Sequence, residues 1–429
     1  MYRIQSSPVL VILLLSGAIT ACSASAPKPP TGPAPARTSA AITPADVRSR
    51  IYLIADDSMA GRAAGERGNF VMTAYLAGEL ARLGLQPGGD KGSWFQTIPM
   101  VRRSVDSASA LEVGGQPVGI FTDFLPIRPT STVRFATSLP TASYRTVYGG
   151  RAGDTTVALT NGDVAGRIVI LDAALGANGR PNGVDAIPAG RAIAKYPAAA
   201  AIFITGLDFV TPATATFLRG RANGLSGVAP ATIHTPLGVL ISGSTATRIF
   251  GRPVSSLRPG TVGSPVTASI KFTEIPVNAP ARNVIGIVRG SDPLLRNEYV
   301  QIGAHSDHIG VAARPVDHDS LHIYNGVMRP NGADTRIPVA STPTAAQWIR
   351  IRAMIDSVRR IRPARLDSVY NGADDDGSGS VALLEIAESL ASRQRPRRSI
   401  LLIWHTAEES GLLGSAWYAE HTTVPHDSI

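Results

Sequence analysis

Apolar residues recur at helical spacing near the start of the chain. "PADVRSRIYLIADDSMAG" and "GNFVMTAYLAGELARLGL" are both predicted helices, and in the second Val71, Tyr75, Leu76, Leu80 and Leu83 share one face. Gly84 and Pro87 end it, and "GRAAGERGN" between the two reads as a loop. From about 105 to 275 the texture changes. Short β-rich pieces ("RIVILDA", "AAIFITG", "GVLISG") are separated by Gly, Pro and Asn, charge is sparse, and His234 is the only histidine. This stretch reads as a domain inserted into the first. From 281 the order becomes strand, loop, helix, strand, helix. "NVIGIVRG", "YVQIGAH" and "SILLIWHT" are uninterrupted apolar strands. "SVALLEIAESLASRQ" is a helix with Leu383, Ile386, Ala387 and Leu390 along its stripe, stopped by Pro396. The pattern predicts an α/β fold: a mostly parallel or mixed sheet with helices on both faces, interrupted by a β-rich insert.

Residues 312–370 depart from this alternation. They contain an internal echo, "DSLHIYNG" and "DSVYNGAD", and an amphipathic helix, "TAAQWIRIRAMIDSVRRIR". Its apolar side carries Trp348, Ile351, Met354, Ile355, Val358 and Ile361. Its arginines read as the solvated face, with a basic groove for an acidic substrate as the alternative. The expected organisation is a signal at 1–22, a flexible Pro/Ala/Ser tether at 23–43, a first part of the main domain at 44–110, the insert at 111–275, and a second part at 276–429.

The first 22 residues have a basic start, a short apolar core ("VLVILLLSGAI") and "ITAC". The core is too short to span a bilayer, which takes about 20 residues, so it reads as an export signal. Ile19-Thr20-Ala21-Cys22 resembles the bacterial lipobox, whose cysteine is lipidated. Cys22 is the sole cysteine, so the remaining chain has no disulfide and no zinc–thiolate site. The expectation is an exported protein, lipid-anchored to a bacterial membrane and facing the periplasm or cell surface. The net charge of +9 invites a nucleic-acid reading. However, only four of the 41 basic residues are lysines, the arginines are scattered, and no basic stripe interleaved with aromatics appears, so nucleic acid is not expected as a partner.

The chemistry collects in three short segments, each at or just beyond a strand's C-terminal end: "GAHSDH", "NGADDDGSG" and "HTAEESG". That edge is where sites form in open α/β sheets. The acidic run has a structural reading, with Asp376 capping the next helix. Three adjacent carboxylates repel one another, however, and a cation accounts for them better. One imidazole with several carboxylates suits zinc, and also cobalt or manganese. The expected metal ligands are His305, Asp374 and Glu409, with Asp374 bridging two ions and Asp375 orienting it. Asp307 is expected to accept the second ring N–H of His305. Glu408 is the candidate general base.

These residues resemble the co-catalytic zinc aminopeptidase family, which includes glutamate carboxypeptidase II and the transferrin receptor. The resemblance runs from about residue 46 to the end, through "IADDSMAGRAAG", "LGLQP", "NVIGIVRGSD", "GAHSDHIG", "NGADDDGSG" and "AEESGLLGS". It implies that His305 binds one zinc, that Asp374 bridges two and is followed by a cis peptide to Asp375, that Glu408 is the base, and that Glu409 binds the other zinc. It also implies that 130–265 is a protease-associated domain and that N-terminal residues are removed from peptide substrates. The family uses five ligands. The remaining Asp and His would lie beyond Ile429, which makes the sequence an expected fragment, inactive by itself. His318, His322, His421 and His426 are read as non-ligands. Two other functions fit the same resemblance: a non-catalytic binding protein, and a one-zinc glutaminyl cyclase.

Overall fold

The computed structural model describes residues 38–128, 136–156, 159–175, 192–210, 212–226, 235–332, 335 and 342–429. The expected signal, Cys22 and most of the tether lie outside them, as does His234.

Helix α1 (Pro44–Ile54) starts where Thr43 accepts the backbone N–H of Asp46 and Pro44 takes the first turn. Helix α2 (Arg67–Arg82) buries Val71, Leu76 and Leu80 on the face its periodicity predicts. Each such side chain contributes about 1.5–3 kcal/mol by leaving water. Short strands β1 (Gln86–Pro87) and β2 (Phe95–Thr97) then lead into a ten-stranded sheet.

That sheet holds β3 (Met100–Val105), β4 (Ala110–Val113), β5 (Gln116–Val118), β6 (Phe124–Pro126), β7 (Ser138–Arg151), β8 (Ile168–Asp172), β9 (Ala201–Thr205), β10 (Ala222–Leu225), β11 (Leu237–Ile241) and β12 (Val262–Pro276). Strands β8, β9 and β11 run parallel, and their core positions are apolar apart from Thr205 at the end of β9, as a sheet buried on both faces requires. Helices α3 (Pro212–Arg219) and α4 (Gly243–Phe250) accompany them. The sheet begins at Met100, about five residues before the change of texture at about 105. Polar Arg102, Arg103 and Ser104 on β3 hide a strand whose partners lie 120 to 170 residues away.

The second sheet carries the candidate chemistry. Its path is β1, β13 (Arg282–Val288), β17 (Ser399–His405) and β14 (Tyr299–His305), with β2 on β13. Strands β14 and β17 are parallel, whereas β13 runs antiparallel to β17, so the sheet is mixed. Helices α1, α2 and α7 (Gly377–Ser392) pack on one face around Leu76, Leu80, Leu384 and Trp404. Tyr418 of α8 (Leu413–Glu420) covers the other. Helix α7 departs from its expected stripe: Glu385 and Glu388 are buried, while Ile386 is only half-buried. Arg50 of α1 explains this, with Nε 3.0 Å from Glu385 and Nη2 on Glu388.

The excursion is a two-stranded ribbon, β15 (Val311–Asp317) and β16 (Leu366–Val369), bearing helices α5 (His318–Met328) and α6 (Ala345–Arg359). The α6 stripe packs only in part. Ile351 is buried, whereas Trp348, Met354 and Ile361 are exposed. Arg359, Arg362 and Arg365 are not a free basic face, because they close on Asp317 and Asp319.

Candidate metal centre

The parallel register pairs His305 with His405, so β14 and β17 end level with each other. The loops that follow leave the same sheet edge. The acidic loop joins them through Asp376, which caps α7 by accepting the Gly379 N–H at 2.9 Å. Its other oxygen accepts the His305 N–H at 3.0 Å. The capping expectation is therefore met, and the same side chain ties the cap to the histidine loop.

His305 turns Nδ1 toward the backbone oxygen of Asp307, at 3.1 Å. This leaves Nε2 facing Asp375 Oδ1 at 3.1 Å and Glu408 Oε2 at 3.9 Å. Burial by itself would lower the ring's pKa. The hydrogen bond and charge of Asp307, with the charges of Asp376 and Glu408, outweigh it and raise the pKa to about 9. Asp307 is fully buried, and its carboxylate sits beside the ring, with Oδ1 3.7 Å from Nδ1. It accepts the backbone N–H groups of Glu408 (3.0 Å) and Glu409 (3.3 Å), fixing the acidic pair to the histidine loop. Glu408 is held above the usual carboxylate range by burial first, then by the charges of Glu409, Asp307 and Asp375, against His305.

The acidic run is phased differently from the sequence reading. Asp374 does not face the histidines; its Oδ1 accepts from Ser378 Oγ at 3.2 Å within its own turn. The inward residue is Asp375, and the cis peptide is Asp375–Asp376 rather than Asp374–Asp375. Capping by Asp376 explains the shift: once that side chain is committed to the helix, the residue before it is the one turned inward.

Two further residues escaped the sequence reading. Arg62 is 1% exposed, and its guanidinium donates to four backbone oxygens: Ser306 (3.2 Å), Ile54 (2.9 Å), Asn371 (2.6 Å) and Gly372 (2.7 Å). It thereby clamps the histidine and acidic loops to the end of α1. Burial pushes its pKa down, opposed by Asp307, Asp376 and Asp375. Gly61 (φ +63°) makes the approach possible, since a Cβ there would lie 2.2 Å from the Gly310 oxygen. The second residue is His308, whose Nδ1 lies 2.6 Å from Glu409 Oε1. Donor atoms of His308, Asp375 and Glu409 all lie within 4.8 Å of one another. The only prior signal for either was its place inside a motif, "DSMAGR" or "GAHSDH".

His405 lies beneath the site. Burial first, then the charge of His305, pushes its pKa down to about 4, against Asp307. Asn223 of β10 reaches the acidic pair's loop, donating to Ser410 Oγ at 2.9 Å. His318 faces Asp367 at 3.8 Å, His421 stacks on Trp417, and His426 is exposed, so these three stand away from the cluster.

Residues 337–429 match the model of peptidase family M28. Aminopeptidase Y of Saccharomyces cerevisiae is 40% identical over 67 residues, covering 15% of this chain and 12% of that protein. An aminopeptidase of Pseudomonas aeruginosa (strain UCBPP-PA14) is 45% identical over 60 residues, covering 14% and 11%. An aminopeptidase structure from Aneurinibacillus sp. strain AM-1 aligns over 89% of this chain and 66% of its own, at 17% identity and a TM-score of 0.39. A zinc aminopeptidase from Bacillus subtilis aligns over 88% and 64%, at 17% identity and 0.32. The matched segments are thus a small share of the curated relatives' lengths. The segment that matches peptidase family M28, 337–429, carries both the "NGADDDGSG" and "AEESG" motifs.

Proposed function

We propose that the protein is a zinc-dependent exopeptidase, most simply an aminopeptidase, with Glu408 as general base. The observation that carries the reading is a division of labour between the adjacent glutamates. Glu409 is engaged by His308, whereas Glu408 points its Oε2 toward His305 Nε2 at 3.9 Å with no hydrogen-bond partner on its carboxylate among the described residues. The donor set fits zinc: imidazole and carboxylate atoms converge without thiolates, and their negative charge calls for a cation. His305, Asp375 and Glu409 would hold it, and zinc would supply a Lewis acid beside the scissile carbonyl.

The chain's own groups do the rest. Asp307 fixes the backbone of the acidic pair, so Glu408 stays aimed at the centre. Its carboxylate takes a proton from the attacking water and returns it to the leaving amine. The lipidated Cys22 is part of the same proposal, holding the enzyme at a membrane surface where it meets exported peptides. In the full-length protein, Glu408→Ala should reduce hydrolysis of an aminoacyl-arylamide by about 10²–10⁴-fold while zinc content holds. Unchanged turnover would overturn the assignment.

A further inference from the structure

We propose that helix α6 and the residues just after it dock on an anionic phospholipid surface and so orient the fold on a membrane. The inference does not depend on the metal centre. It adds to the lipid-anchor reading above a second contact, made by the folded chain.

Helix α6 is covered on one side only. Of its 15 residues, Ile351 alone is buried. Trp348 leans on Tyr324 of α5, with ring centroids 6.1 Å apart. At about 100° per residue, Ile349, Arg360, Ala353, Ser357, Arg350 and Met354 fall on one outer arc. All six are exposed, and the one acidic residue of the helix, Asp356, lies just outside the arc. Ile349 is 71% exposed, and beyond the helix Ile361 is 84% and Leu366 67% exposed. Apolar side chains grouped in this way at a surface mark a contact.

The charge says what kind of contact. Residues 312–370 hold nine arginines against five aspartates, with no lysine or glutamate, a net +4. Arg359, Arg362 and Arg365 close on Asp317 and Asp319. The arc keeps its own two cations. Arg360 donates to Ser357 Oγ at 2.8 Å, and Arg350 pairs with no carboxylate among the described residues. Apolar side chains set between arginines are the composition of a helix that lies in the headgroup layer of an anionic bilayer. A second copy of this chain fits less well, because a two-fold contact would bring the same positive arc against itself. The place of the anchor agrees. Residues 23–37, 15 in all, separate Cys22 from the first described residue, Thr38. Fully extended they reach about 50 Å. Lipid on Cys22 would keep the fold within that distance of a bilayer, and the high local concentration lets a weak docking face engage.

The test places a nitroxide at Ala353→Cys in the full chain, with the wild-type chain treated in the same way as the blank for Cys22. Its collisions with an aqueous nickel chelate and with oxygen are read on vesicles of phosphatidylglycerol with phosphatidylcholine, and on phosphatidylcholine alone. On the anionic vesicles the nickel collisions should fall about fivefold or more while those with oxygen rise, as the arc enters the headgroup boundary. About 1 M NaCl, which cuts the screening length to about 3 Å, should reverse the change. Arg350→Glu with Arg360→Glu should abolish it, with the circular dichroism unaltered. Equal collisions on the two kinds of vesicle, or a change that survives the charge reversal, would overturn the proposal. So would protection that appears without vesicles and grows with protein concentration, since a second copy would then cover the arc. Lipid on Cys22 brings the chain onto both kinds of vesicle. A chain that fails to sediment with phosphatidylcholine therefore refutes the anchor, while the label on anionic vesicles still reports on the arc.

Discussion

Replacing Arg62 tests whether the candidate site is organised by a buried cation that touches no substrate. Its four donated hydrogen bonds, at 2.6 to 3.2 Å, go to carbonyl oxygens on three separate segments. A charge-assisted bond contributes about 1.5–3 kcal/mol, so the gross value is roughly 6–12 kcal/mol. Desolvating the guanidinium offsets several kcal/mol of that. Arg62→Met should therefore destabilise by about 3–5 kcal/mol, since truncation leaves the carbonyls buried without the donor. Arg62→Lys keeps the charge. Its ammonium has three donors at one point, however, and cannot span three segments, so about half the loss should remain. Urea unfolding of the metal-free chain reads the cost as a lower midpoint at unchanged slope. Zinc titration of the lysine variant should show weakened binding, because the loops bearing His305 and Asp375 are no longer held at one spacing. A methionine variant within 1 kcal/mol of wild type, or a lysine variant equal to it in both assays, would refute the clamp.

Exchanging Asp375 for Asn should abolish metal uptake and turnover, whereas Asp374→Asn should leave metal uptake nearly intact; the reverse order would restore the sequence-based phasing. His405 gives a pH dependence. Its folded pKa of about 4 lies below the ordinary 6.5, so the unfolded chain takes up the proton first. Its contribution is fully present above about pH 6.5 and is lost as pH falls toward 4, amounting to about 3 kcal/mol. Urea midpoints of the metal-free protein at pH 7.5 and 4.5 should therefore differ less in His405→Gln than in wild type, and equal differences would contradict the burial argument.

Local periodicity made α2 and α7 legible, because three or four apolar side chains on one face suffice to define a helix. The convergence of three motifs on one sheet edge followed from strand ends alone. What the sequence left open depends on partners distant along the chain. Three consecutive aspartates look alike until Asp376 is seen to cap a helix and bind the His305 backbone. Glu385 and Glu388 look solvent-facing until Arg50, more than 330 residues earlier, is placed against them. Arg62 reads as an ordinary loop arginine, since its bonding partners are backbone oxygens, which no side-chain pattern reveals. Strand β13 was legible as a strand, but its antiparallel direction was not, because a buried strand reads as apolar in either direction.

The central claim, that the sheet edge bearing Asp375 and Glu409 is a zinc site, is tested most directly by anomalous diffraction at the zinc edge from crystals of the zinc-loaded protein. The account predicts a peak within about 2.0–2.2 Å of carboxylate oxygens of both Asp375 and Glu409. A zinc peak elsewhere, with these two carboxylates free of metal, would contradict it.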